Sequence, residues 1–290
     1  MQRLKTSVVL LGIVCMAGLA ATSLARELSL LAGLGSSVSQ YYKELIVFIS
    51  GNWLDYGEMF TILQAEWIRP LSLTVIVGVP AVFLLHYLIV GAKHFDHGGE
   101  QIFFFSLYNR VVHFVAAFSF SLLVITGLLM IFGAYFGGGT FIRSARYVHL
   151  VSAIIFVVPG ALMFAMWIKD MLPQVHDIKW IFILGGYLSK EKKPVPAGKF
   201  NAGQKMYFWF ATAGGGVMAY SGYLIWGFGG ELDVVRIFTM IHNILGMMIV
   251  AFYLTHVYMS VFAIAGSLQS IKTGYKPKAE VDILHSKYTY

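Results

Sequence analysis

Two histidines fourteen residues apart, His242 and His256, lie in the apolar run MIHNILGMMIVAFYLTHVYM at 240–259. On a helix rising about 1.5 Å per residue they stand roughly 21 Å apart, most of a hydrocarbon core about 30 Å thick. At about 100° per residue, the same fourteen steps return to within roughly 40° of one face. One helix therefore offers an imidazole near each membrane surface. Two further histidines match those depths: His113 opens an apolar run at NRVVHFVAAF, and His149 opens another at RYVHLVSA. His149 falls with His242 near one surface and His113 with His256 near the other. Ligand-type side chains in apolar spans are expensive and point to function. A lone buried histidine is most often a hydrogen-bonded structural group, but four with paired depths are not explained that way. Neutral imidazole is a good axial ligand for iron, and two stacked pairs suit two bis-histidine b-type haems. A flat macrocycle needs small neighbours, which Gly127, Gly160, Gly214, Gly215, Gly216, Gly222 and Gly246 supply.

The remaining histidines read differently. His86 sits in an earlier apolar run without a second histidine at its depth, so it should face the bundle and be hydrogen-bonded. His94 and His97 in KHFDH have the types of a metal site, but a polar loop without further ligands reads as solvated. His176 and His285 fall in polar segments and carry no chemical reading.

The elements that must position these imidazoles follow from composition. Hydrophobic residues make up 58% of the 290 and charged ones only 12%, with a mean hydropathy of +0.73. A soluble domain carries about a quarter charged residues, so this is an integral membrane protein. The net charge of +7 does not indicate nucleic acid, because the basic residues sit in short connections between apolar spans, where they set topology. Residues 1–25 resemble a signal peptide: basic MQRLK, an apolar core, and Ser23-Leu24-Ala25 as a cleavage site. A retained anchor is the alternative, since the apolar core is long. The one cysteine, Cys15, lies inside that stretch. Its removal would leave no thiol for an iron–sulfur cluster, a cysteine-bound zinc or a covalently attached haem.

Residues 26–70 read as an exported segment of short interfacial helices. Five spans follow, at roughly 71–91, 111–133, 148–169, 206–227 and 237–265. Lysines crowd the connections 92–110 and 170–205 and the end of the chain, whereas 134–147 and 228–236 are glycine-rich and hold only three arginines. The positive-inside rule makes the lysine-rich side cytoplasmic. The expected fold is therefore an all-α integral membrane protein. A four-helix haem-binding bundle (92–266) is preceded by one extra transmembrane helix (71–91) and followed by a cytoplasmic tail (267–290).

At about residues 100–278 the sequence resembles the cytochrome b, or gamma, subunits of respiratory membrane-bound formate dehydrogenases. GKFNAGQKMYFW (198–209) carries the resemblance most specifically, with RVVHF, RYVHL and IHNILGMMIVAFYLTHVYMS in the same order. Phe114 departs from the tryptophan common in the family. The resemblance implies outer haem ligands at His149 and His242 and inner ligands at His113 and His256, the pairing that depth gives. It also implies a quinone, menaquinone or ubiquinone, beside the inner haem at Asn201, Gly203 and Gln204. An amide and an exposed backbone N–H can hydrogen-bond a quinone oxygen, although Asn201 also has the character of a plain helix N-cap. The implied partners are an iron–sulfur (beta) subunit and a pterin-containing catalytic (alpha) subunit, in a bacterial inner membrane with a cytoplasmic C-terminus. Hydrogenase and thiosulfate-reductase cytochrome b subunits share the bundle and form the first alternative. A non-redox scaffold or transporter, which would hold no haem, forms the second.

Overall fold

Long apolar helices dominate the computed structural model, which describes residues 56–227 and 231–290. The signal-peptide stretch, Cys15 and most of 26–70 lie outside the described residues. The first helix, α1, runs Gly57–Ile89. It therefore begins well before the span expected at 71–91, and residues 57–70 continue that span instead of forming separate interfacial helices. Glu58, Glu66 and Arg69 interrupt the apolar pattern there and hide the continuity from a hydropathy reading. Two wide turns, Leu63–Trp67 and Thr74–Gly78, fall just ahead of Pro70 and Pro80. Each proline lacks the N–H that a regular turn would use, and a wide turn absorbs the break.

Helix α2 (Leu107–Ile131) starts on a reciprocal cap: Ser106 Oγ accepts from Asn109 N, and Asn109 Oδ1 accepts from Ser106 N. Three consecutive glycines with positive φ, Gly137, Gly138 and Gly139, turn the chain into α3 (Gly139–Trp167). Helices α2 and α3 then pack along their lengths. After the short α4 (Val175–Phe182) comes α5, a helical run from Ala202–Trp209 through a wide turn, Phe210–Gly214, to Gly215–Gly227. Helix α6 (Leu232–Tyr258) continues through a wide last turn to Ala263.

Among the described residues four helices, α1, α2, α3 and α6, are long and apolar enough to cross a membrane. The span expected at 206–227 is helical within α5 but is not among those four. Gly214, Gly215, Gly216 and Gly222, with tyrosines and Ser221, dilute its apolar content. Large apolar side chains such as Leu88, Phe114, Phe118, Ile154 and Val158 stand exposed on the outer faces. Lipid is the solvent that suits such a surface, and the molecule is a membrane protein.

At one end of the bundle the loops form a packed layer. Strand β1 (Gln101–Phe103) pairs antiparallel with β2 (Tyr275–Pro277), with Ile102 opposite Lys276. Helices α7 (Gln269–Thr273) and α8 (Lys278–Leu284) flank β2. Residues 267–290, expected as a tail, thus fold back on the bundle. Val195 N donates to Ile283 O, and Lys287 N donates to Ala197 O. Val281 is fully buried among Phe104, Phe105, Trp167, Phe200 and Phe208.

Candidate functional site

Each of the four depth-matched histidines enters the structure beside its expected partner. The rings of His149 on α3 and His242 on α6 have centroids 6.4 Å apart, and those of His113 on α2 and His256 on α6 are 6.3 Å apart. Two metal–imidazole bonds of about 2 Å, plus about 1.1 Å from each nitrogen to its ring centre, sum to roughly 6 Å. Both gaps therefore suit one metal ion held between two imidazoles. Among the described residues no cluster of three or more His, Cys, Asp or Glu could hold a metal ion.

The outer pair is oriented by hydroxyls. Thr126 Oγ1 donates to Leu122 O at 2.6 Å and lies 2.9 Å from His149 Nδ1. Ser221 Oγ donates to Met218 O at 3.1 Å and lies 2.8 Å from His242 Nδ1. Each hydroxyl has one proton, and it is committed to a carbonyl of its own helix. The imidazole must then be the donor, through Nδ1–H, which leaves Nε2 as the bare lone pair a metal requires. Glycines accommodate the same rings. A Cβ at Gly127 would lie 3.6 Å from His149 Cε1, and one at Gly222 would lie 3.4 Å from His242 Cε1.

A cavity of about 600 Å³ opens beside the outer pair, bounded by both of its histidines and by Gly127, Gly160, Gly215, Gly216 and Gly246. That volume is within the range of cofactor sites, about 300–1,000 Å³. A flat, apolar macrocycle carrying a metal ion would fit this donor set and this glycine-lined space. Helix α1 closes one side with Ser72, Val75 and Ile76, and its Gln64 Oε1 accepts from Asn243 Nδ2, next to His242.

The inner pair is held otherwise. Among the described residues neither imidazole takes a hydrogen bond; His256 instead stacks on Tyr207, with centroids 4.6 Å apart and planes 21° from parallel. Tyr207 sits on α5 three residues after Gln204. The loop residues Asn201, Gly203 and Gln204 come together at the start of that helix. Asn201 Oδ1 accepts from Gln204 N, and Gln204 Oε1 accepts from Asn201 N, both at 2.9 Å. Gly203 packs against Trp180, where a Cβ would come within 2.9 Å of the indole. Buried Lys205 then pairs with Asp177 Oδ2 at 2.7 Å, tying α5 to α4. The amide oxygens therefore cap the helix, and the amide nitrogens are the groups left for a ligand.

The other histidines sort cleanly. His86 is hydrogen-bonded to the Tyr258 hydroxyl and to Tyr187 O, facing α6 as its position in the span suggested. His94 contacts Ala92 O at the surface, but His97, expected to be solvated, is half-buried: its Nε2 lies 3.0 Å from Ala265 O, and its Nδ1 is buried without a hydrogen-bond partner among the described residues. His285, silent in the sequence, is buried: its Nδ1 donates to Gly198 O at 2.8 Å, and its Nε2 lies 3.4 Å from Lys276 Nζ. Lys276 also donates to buried Glu280 at 2.5 Å. Burial, then the Lys276 ammonium, pushes the His285 imidazole down to about 3. Thr126, Ser221 and Tyr207 are the site residues that sequence reasoning missed. Each lies on a helix face that periodicity could reach, but nothing in its type marks it.

Residues 104–274 match the prokaryotic cytochrome b561 family. Among curated relatives, the cytochrome b556 subunit of nitrate-inducible formate dehydrogenase from Escherichia coli K12 is 28% identical over 177 residues, covering 57% of this chain and 80% of the relative. The cytochrome b556 subunit of formate dehydrogenase from Haemophilus influenzae is 24% identical, with 57% and 73% covered. A second E. coli K12 formate dehydrogenase cytochrome b556 subunit is 22% identical over 187 residues, with 62% and 88% covered.

Proposed function

Because the chain belongs to the prokaryotic cytochrome b561 family, we propose that it is the dihaem membrane subunit of a formate dehydrogenase, carrying electrons across the bilayer to a quinone. The observation that carries this reading is the pair of histidine couples, each spaced for one metal ion and set fourteen residues apart along α6. Haem b, when bound, supplies a one-electron carrier at each couple. His149 and His242 hold the outer position, with Thr126 and Ser221 fixing their tautomer; His113 and His256 hold the inner one.

Electrons enter on the outer side from an iron–sulfur subunit, which draws them from formate oxidised at a pterin-containing catalytic subunit. At the inner end, Asn201 Nδ2, Gln204 Nε2 and the backbone N–H of Gly203 donate to the oxygen of menaquinone or ubiquinone. The free N–H groups of the α5 terminus favour charge developing on that oxygen. Lysine-rich connections put this end, and the C-terminus, on the cytoplasmic side of a bacterial inner membrane. Each electron moved inward works against the membrane potential, storing about 2.3 kcal/mol per 100 mV for a full crossing. Protons taken from the cytoplasm at the quinone complete half of a redox loop.

Purification of the full chain from its native membrane tests the assignment. The expected result is co-elution of iron–sulfur and pterin subunits and a haem spectrum reduced by formate. Co-elution of a hydrogenase and reduction by hydrogen alone would overturn it.

A further inference from the structure

The two histidine couples are built alike in spacing and unlike in support. Both outer imidazoles give their Nδ1–H to a hydroxyl, Thr126 on α2 or Ser221 on α5. Neither inner imidazole has such an acceptor among the described residues; His256 rests on the face of Tyr207. A threonine on these helices does not meet an imidazole by default. Thr212, Thr239 and Thr255 also bond a carbonyl four residues back, and no imidazole meets them.

We propose that Thr126 and Ser221 are positioning residues that hold the outer haem at a lower reduction potential than the inner one, so that the chain itself slopes electron flow inward. The inference rests on the dihaem reading above. An imidazole that donates Nδ1–H to an acceptor becomes a stronger electron donor through Nε2. Stronger donation favours the iron form that carries more positive charge, the ferric one, and second-shell hydrogen bonding is an established lever on haem potential. The step concerned takes up one electron at iron; the Nδ1 proton stays on the ring in both states. Two such hydrogen bonds act on the outer couple and, among the described residues, none on the inner. The geometry therefore makes the outer iron the harder to reduce, and an electron placed there runs downhill to His113 and His256. Stacking on Tyr207 fixes the His256 plane without drawing on its N–H.

Optical redox titration of the purified full chain tests this. Thr126→Val keeps the shape of threonine and removes the acceptor, and Ser221→Ala does the same at the smaller site. Each should raise the outer midpoint, and the double variant should change the reduction equilibrium about tenfold, which is 59 mV for one electron. The inner midpoint should not move, Thr126→Ser should restore the wild-type value, and Thr255→Val should change nothing. Wild-type potentials in variants that retain both haems would overturn the inference, as would equal shifts at both haems. Should Thr126→Val lose haem, Ser221→Ala still decides the matter, because it removes one oxygen from a site against a glycine-lined wall. A wild-type chain that binds no haem is a different result, since it removes the functional reading itself.

Discussion

Gly222 stands close enough to the His242 ring to limit the size of what can replace it. The ring's Cε1 is 3.4 Å from the point a Cβ on Gly222 would occupy, a distance that one methyl group tolerates and a branched side chain does not. Gly222→Ala should therefore keep both haems. Gly222→Leu should displace the imidazole and lose the outer haem alone, visible as one haem per chain with the inner midpoint intact. Loss of both haems would mean the substitution disturbs the whole bundle. At this scale the sequence was legible where residue type carries meaning: histidines at fourteen-residue spacing and matched depth identify themselves. Thr126, Ser221 and Tyr207 were not legible, because a hydroxyl or a phenol on an apolar helix has many ordinary uses. Only the neighbouring helix decides which of them meets an imidazole.

The start of helix α5 combines an observed task with a proposed one. Asn201 and Gln204 close a reciprocal cap with their oxygens, while their nitrogens are the groups proposed to meet the quinone. The tasks separate on substitution. Asn201→Asp keeps an oxygen that caps a helix as well as asparagine does, whereas alanine would cost about 1 kcal/mol. The aspartate has no amide donor and adds a charge, so quinone turnover should fall by up to roughly a hundredfold, the effect of about 1–3 kcal/mol. Thermal stability and formate-reducible haem should stay at wild-type levels. Unchanged turnover in Asn201→Asp would make the loop a cap and nothing more. Element boundaries were less legible than element identity. Charges near Glu66 and Arg69 concealed the early start of α1, and glycines in α5 lowered its hydropathy without ending the helix. In both cases packing against α6 sustains a helix whose local composition argues weakly for one.

Across the whole molecule, the chain's end returns to the layer that carries the loop proposed to meet the quinone. His285 bonds Gly198 O, three residues before Asn201, and Val195 and Ala197 bond the same returning segment. A run of polar residues after the last span reads as a tail because the signal for docking lies in its partners. Lys276, Glu280 and His285 look like solvated surface until β1 pairs with β2 and buries them. This burial has a pH signature. The unfolded imidazole takes up its proton near pH 6.5, the folded one only near 3. The contribution of neutral His285 is therefore complete above about pH 6.5 and drains away as pH falls toward 3, by on the order of 1 kcal/mol per pH unit. Limited proteolysis of 275–290 should accelerate between pH 6.5 and 4 in the wild type. His285→Gln, which keeps a donor to Gly198 O and does not titrate, should flatten that dependence; an unchanged slope would put the sensitivity elsewhere.

The proposed electron path requires two metal positions in one chain, held by different ends of α6. A pyridine haemochrome assay on the purified wild type, with His242→Ala and His256→Ala in parallel, tests that most directly. The predicted result is two b-type haems per wild-type chain and one in each variant, with the surviving haems differing in midpoint potential. One haem or none in the wild type, or the same surviving haem in both variants, would contradict it.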